Sequence, residues 1–155
     1  HVTGVQTCAL PILLVPVTWA VVRRLRGRGA AVPWAACAWI ALPFLVDVTG
    51  NTLDLYDTID WWDDLNHFAN WAFLCLGIGL ILDVARLRPL WALALATAGV
   101  GALLAIGWEL AEWWTFIRHG TELATAYTDT LGDLVLGTLG GIVAGVALAL
   151  RRRGA

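Results

Sequence analysis

Asp60, Asp64 and His67 stand at i, i+4 and i+7, and Asp63 lies four residues before His67. A helix over this stretch would therefore gather carboxylates and an imidazole on one face. Glu109 and Glu112 form an i, i+3 pair, and Asp129 and Asp133 an i, i+4 pair. One imidazole with several carboxylates is a donor set for Zn, Mn or Fe, and an all-oxygen subset would suit Mg or Ca. The expected ligands of a divalent metal are Asp64, His67, Glu109, Glu112 and Asp133, with Asp129 as a further candidate. If one coordination position stays open, a bound water would be activated for hydrolysis. The same groups on facing helices would alternatively serve as a proton or cation relay, or hold a partner helix as an accessory subunit does.

Composition decides what must position them. The chain has 155 residues, 59% hydrophobic and 14% charged, with a mean hydropathy of +0.73. Soluble domains average about 45–50% apolar and 25% charged residues, so a water-soluble globule is excluded, and so is disorder. The expectation is an all-α polytopic transmembrane bundle of about five spans. The apolar runs cover Leu13 to Val22 (a truncated first span), Ala31 to Val48, Leu65 to Leu82, Leu90 to Trp108 with a helical continuation toward Ile117, and Thr130 to Leu150. With no Met in the sequence, the chain reads as part of a longer frame. Val2 to Ile12 (VTGVQTCALPI) reads as a translated sequencing adapter, which sets residues 1–12 apart from a single membrane domain over 13–155. Cys37 and Cys75 lie in apolar stretches and are expected to pack as small hydrophobes.

Arginines orient the spans. Arg23, Arg24, Arg26 and Arg28, then Arg86 and Arg88, then Arg151, Arg152 and Arg153 all fall on one side, leaving only Arg118 on the other. Short cytoplasmic loops concentrate such residues, so a multi-pass protein of the bacterial inner membrane with a cytoplasmic C-terminus is expected. The basic segments are short and topogenic, which gives no case for nucleic acid; membrane lipid, a second copy or a partner helix are the expected partners. Counted at 1.5 Å per residue from those arginines, Asp47, His67, Glu109 and Asp133 all lie roughly 27–31 Å from the inner face. Ionisable groups at that depth normally face the bundle interior. Gly137, Gly141 and Gly145 continue the Asp129–Asp133 stripe, and Gly101 and Ala105 lead to Glu109, so His67, Glu109 and Asp133 are expected to meet where small residues let backbones approach.

Plainer roles compete for some of these groups. Asp60 or Asp63 would cap the third span and Asp129 the fifth, while Asp54 and Asp57 would be solvated loop residues. His67 would serve equally as a hydrogen-bonded structural residue. Glu109 and Glu112 resist a capping role, because they fall in a helix's C-terminal half, where the macrodipole disfavours acids. Trp61, Trp62, Trp113 and Trp114 are expected as interfacial anchors.

The ordered motifs Asp63-Asp64-Leu65-Asn66-His67-Phe68, Trp108-Glu109-Leu110-Ala111-Glu112-Trp113-Trp114 and Asp129-Thr130-Leu131-Gly132-Asp133 resemble the YjdF-like family of bacterial inner-membrane proteins. The resemblance covers the chain from Asp60 to its end, about two-thirds of it. Asn66 stands where the family pattern has Gly. A weaker likeness to VanZ-like membrane proteins lies in acidic helix ends followed by a Gly-rich span. Both resemblances imply a small polytopic bundle, and neither supplies an activity. A site at this depth implies a substrate at the outer leaflet, either a lipid or a cell-wall precursor.

Overall fold

The computed structural model describes residues 17, 19–27, 31–84, 89–115 and 117–153. Helices α1 (Trp34–Thr52), α2 (Leu55–Thr58), α3 (Trp62–Val84), α4 (Leu90–Thr115) and α5 (Ala126–Arg153) follow one another, with 3-10 turns at Ile117–His119 and Thr121–Ala124 between α4 and α5. Residues 19–26 are helical as well, and no strand occurs among the described residues. Among the described residues, four helices are long and apolar enough to cross a bilayer: α1, α3, α4 with the turn that follows it, and α5. The architecture is an all-α polytopic membrane bundle. Half of the expected first span (residues 13–16 and 18), and all of residues 1–12, lie outside the described residues.

The helices depart from the apolar runs at several ends, by three residues where α1 starts at Trp34 and not Ala31, and three of these departures have a local reason. α3 starts at Trp62, not Leu65, and α5 at Ala126, not Thr130. Both thereby take acids into the first turn, Asp63 and Asp64 in α3 and Asp129 in α5, where free N–H groups and the helix dipole favour negative charge. Apolar length is blind to such a turn. α1 runs past Val48 to Thr52 because its polar tail satisfies itself. The Thr49 and Thr52 hydroxyls donate to the carbonyls of Leu45 and Val48 at 2.7 Å, and Asn51 Nδ2 donates to the Asp47 carbonyl at 3.0 Å.

α5 is the central element, packed along both α3 and α4, while α1 packs on the far side of α3. Its glycines set the approach. A Cβ on Gly145 would stand 2.6 Å from the Ala94 carbonyl oxygen, and one on Gly141 would stand 3.4 Å from that of Ala98. Gly140 turns to α3 instead, where a Cβ would meet the Phe68 carbonyl oxygen and, at 2.8 Å, the Ala72 nitrogen. The seam is filled by Cys75, Leu93, Thr97, Ala105, Ala144 and Leu148, all buried. Small residues thus replace side-chain interdigitation with backbone contact, the usual source of helix association in lipid.

The connection between α1 and α3 is tied down at Tyr56. Its hydroxyl donates to Asp47 Oδ1 at 2.9 Å, and its ring meets Trp62 edge-on, with centroids 6.4 Å apart. Gly50 makes the fit possible, since a Cβ there would lie 2.9 Å from the Tyr56 ring. Burial pushes the Tyr56 phenol well above its ordinary range, with the Asp47 charge adding to it, so the proton stays on tyrosine as the hydrogen bond requires. Tyr56→Phe keeps the ring and removes the donor. It is expected to cost about 1–2 kcal/mol, a single hydrogen bond to a carboxylate, and to speed amide hydrogen exchange across residues 53–61 about tenfold. Unchanged exchange there would show that the ring alone holds the connection.

Candidate functional site

The close approach of α5 to α3 builds the site. Gly140 lies against the backbone of Phe68, and Gly137 against the Trp71 indole, where a Cβ would come within 2.7 Å of Cδ1. Asp133 is one helical turn before Gly137 and His67 immediately precedes Phe68, so the same contact sets Asp133 beside the imidazole. His67 Nδ1 is 3.6 Å from Asp133 Oδ1. On the other side of the ring, Nε2 is 3.7 Å from Oδ1 of Asp63, one turn earlier on α3. The side chains of Asp63, His67 and Asp133 are 47%, 11% and 5% exposed respectively, so the group opens at Asp63 and closes at Asp133. One ligand atom from each of the three falls within 4.8 Å of the others.

These distances exceed an ordinary hydrogen bond of about 2.7–3.2 Å, and His67 Nδ1 is buried without a hydrogen-bond partner. They resemble instead the separation of two donors around one small ion. Ligands about 2.1 Å from a tetrahedral metal stand roughly 3.4 Å apart. An ion can take only one nitrogen of a given imidazole, however. The second carboxylate then serves the opposite N–H, the arrangement in which a carboxylate orients a metal-binding histidine.

The expected ligands divide among three places. His67 and Asp133 come together. Glu109 is buried on α4 beside Thr130 of α5, outside the close group. Glu112 lies beside Trp108 and feels the charges of Glu109, Asp133 and Asp63, so it belongs to the same electrostatic neighbourhood. Asp64 and Asp129 are exposed and face elsewhere, bordering an open surface groove with Ala124, Thr125, Thr128 and Gly132. Asp47, expected at the same depth, binds Tyr56 and Asn51 on α1.

Asp63 is the residue that capping logic misplaced. It is the second residue of α3, not the residue before it, and its carboxylate turns along the helix to His67. The i, i+4 spacing carried that signal. Asp129 is likewise inside α5, its fourth residue, and its exposed carboxylate borders the open groove. At the same end, the Arg118 guanidinium lies 3.9 Å over the Trp114 ring, a cation–π contact beside the aromatic belt.

A polytopic helical membrane protein with an imidazole held between two carboxylates at one end of its bundle is the class these features define. The chain belongs to the DUF2238 family of predicted membrane proteins, which matches residues 3–154. No curated protein and no solved structure matches it.

Proposed function

We propose that this protein is a bacterial inner-membrane protein of the YjdF-like kind that binds a divalent cation near its outer face. Asp63 and His67 Nε2 take the ion on the open side, and Asp133 fixes the Nδ1–H of the same ring. The observation that carries this reading is the convergence of Asp63, His67 and Asp133, from two helices, within 4.8 Å, with the His67 Nδ1 nitrogen otherwise unpartnered. The carboxylates of Asp63, Glu109, Glu112 and Asp133 repel one another across low dielectric, and a cation offsets that repulsion directly. Zn, Mn or Fe suits the mixed nitrogen and oxygen donors, and Mg suits the carboxylates with water.

So few protein ligands leave positions for water and substrate, the condition for metal-assisted hydrolysis. Glu109 and Glu112 are the nearby groups to receive a proton. The arginine-rich ends support an outward orientation for the cluster, which puts its substrate in the outer leaflet: a lipid or an envelope precursor. An imidazole addressed by carboxylates at both nitrogens is also the geometry of a proton relay, the alternative transport reading. The backbone contacts at Gly140, Gly141 and Gly145 disfavour it, since they press α5 onto α3 and α4 directly beyond the cluster.

Metal analysis of the purified protein tests the proposal. Near-stoichiometric metal is expected after incubation with Zn, Mn, Fe or Mg and removal of excess, and a folded wild type that retains none overturns the site. Asp133→Asn is expected to weaken binding about 10–100-fold, the usual cost of losing a partner that orients a ligand. Complete loss would make Asp133 a direct ligand instead.

A further inference from the structure

Arg118 stands alone among acids. Asp54, Asp57, Asp60, Asp64 and Asp129 are exposed at the same end of the bundle, yet among the described residues no carboxylate pairs with its guanidinium. The group lies 3.9 Å over the Trp114 ring instead, and its Nε is buried with no hydrogen-bond partner. A guanidinium carries five N–H donors in a fixed fork and no acceptor. Stacking occupies its face and none of those donors, so the outer edge of the fork is uncommitted. Phosphate matches such a fork with two parallel hydrogen bonds, and a stacked arginine is already oriented to make them.

The helix beneath it supplies an apolar track. Gly99, Leu103, Gly107, Leu110 and Trp114 recur at i, i+4, i+8, i+11 and i+15, on one face of α4, and all five are exposed. The opposite face buries Gly101, Ala105 and Glu109. A Cβ at Gly99 or Gly107 meets nothing within 4 Å, so the stripe is notched at two levels below the Trp114 ring. From Gly99 to Trp114 it runs about 22 Å, more than half of a hydrocarbon core about 30 Å thick, and so covers one leaflet.

We propose that Arg118 and this stripe bind one phospholipid of the outer leaflet, with its phosphate on the guanidinium and a tail along Leu110, Gly107 and Leu103. Charge and apolar track meet at a single side chain, Trp114, and a lipid is the anion that needs both. Trp114 lies five residues, about 8 Å, beyond Glu109 along α4. The head group therefore sits on the outer side of the acids, where a cation at Asp63 and His67 offsets their repulsion of it. In naming the substrate as a phosphate-bearing lipid, the inference rests on the cation-site reading above.

Arginine modification by phenylglyoxal, followed residue by residue with peptide mass spectrometry on the full chain in neutral micelles, tests it. Phosphatidic acid and diacylglycerol with the same tails are the probes, since they differ by the phosphate alone, and inorganic phosphate is the soluble comparison. Phosphatidic acid at ten times its half-saturating concentration is expected to slow modification of Arg118 about tenfold, while diacylglycerol leaves it unchanged. Gly107→Leu, which fills the notch, is expected to reduce that protection to the level inorganic phosphate gives. Modification of Arg151, exposed at the other end of α5, should respond alike in wild type and variant and serves as the reference. No protection by phosphatidic acid, or equal protection by diacylglycerol, overturns the proposal. Inorganic phosphate protecting Arg118 as well as the lipid does, with Gly107→Leu unaffected, makes the ligand a soluble phosphate and overturns the lipid assignment. Mn2+ titration of the same wild-type sample reads the cluster separately. Metal binding without lipid protection removes the lipid site alone, and protection without metal binding removes the cation site alone.

Discussion

His67→Ala is expected to lose bound Mn2+ or Zn2+ by about a hundredfold or more, because it removes the only nitrogen donor in the group, a larger loss than an orienting partner causes. Asp63→Asn should fall in the same range, since its carboxylate stands on the open side of the ring, 3.7 Å from Nε2. Asp64→Asn, one residue on, should change metal affinity only through a distant charge, by about threefold or less at ordinary ionic strength. The order Asp63 far above Asp64 is the sharpest form of the result, because the two differ by one position. Isothermal titration with Mn2+ reads it directly, with thermal midpoints confirming that each variant is folded. Equal losses at Asp63 and Asp64, or metal retained by His67→Ala, would move the ion away from this cluster.

Gly140→Ala is expected to have the largest effect on stability of any single added methyl group described above. The new carbon would meet the Phe68 carbonyl oxygen and stand 2.8 Å from the Ala72 nitrogen. Both are backbone atoms and cannot rotate aside, so α5 must move off α3. Overpacking of this kind costs about 1–3 kcal/mol, and for a chain of this size the upper end corresponds to a drop of roughly 6–12 °C in Tm. Metal affinity should fall with it, because the same contact sets Asp133 against His67. Gly99→Ala and Gly107→Ala are the controls, since a Cβ at either meets nothing within 4 Å. A thermal scan in detergent that finds Gly140→Ala as stable as these would show that the α3–α5 seam is looser than its geometry.

The spans were legible because twenty apolar residues in a row admit few other readings. Their ends were less so: Trp62-Asp63-Asp64 and Ala126 to Asp129 look like loop in a hydropathy pattern, and only helix-end electrostatics makes them a first turn. The shared depth of His67 and Asp133 followed from counting residues, and the structure does bring them together. Depth alone cannot rank neighbours, however. Glu109 has a suitable level and burial but lies outside the group that Asp63, His67 and Asp133 form. Asp63 and Asp64 were both within reach of His67, at i+4 and i+3, and the position of α5 chooses between them. Gly140 falls outside the Gly137, Gly141 and Gly145 stripe, so the residue closest to α3 carries no signature of its own.

The pairing of α3 with α5 also has a consequence for biogenesis. His67 enters the membrane with α3 and Asp133 only two helices later, with α5, so the insertion machinery must handle His67 without that partner until α5 arrives. A nascent chain ending after α4 would expose His67 and the bare flank of Phe68 to lipid. The cluster is thus completed only once α5 has joined α3, and membrane quality control would have a ready mark for telling paired copies from unpaired ones.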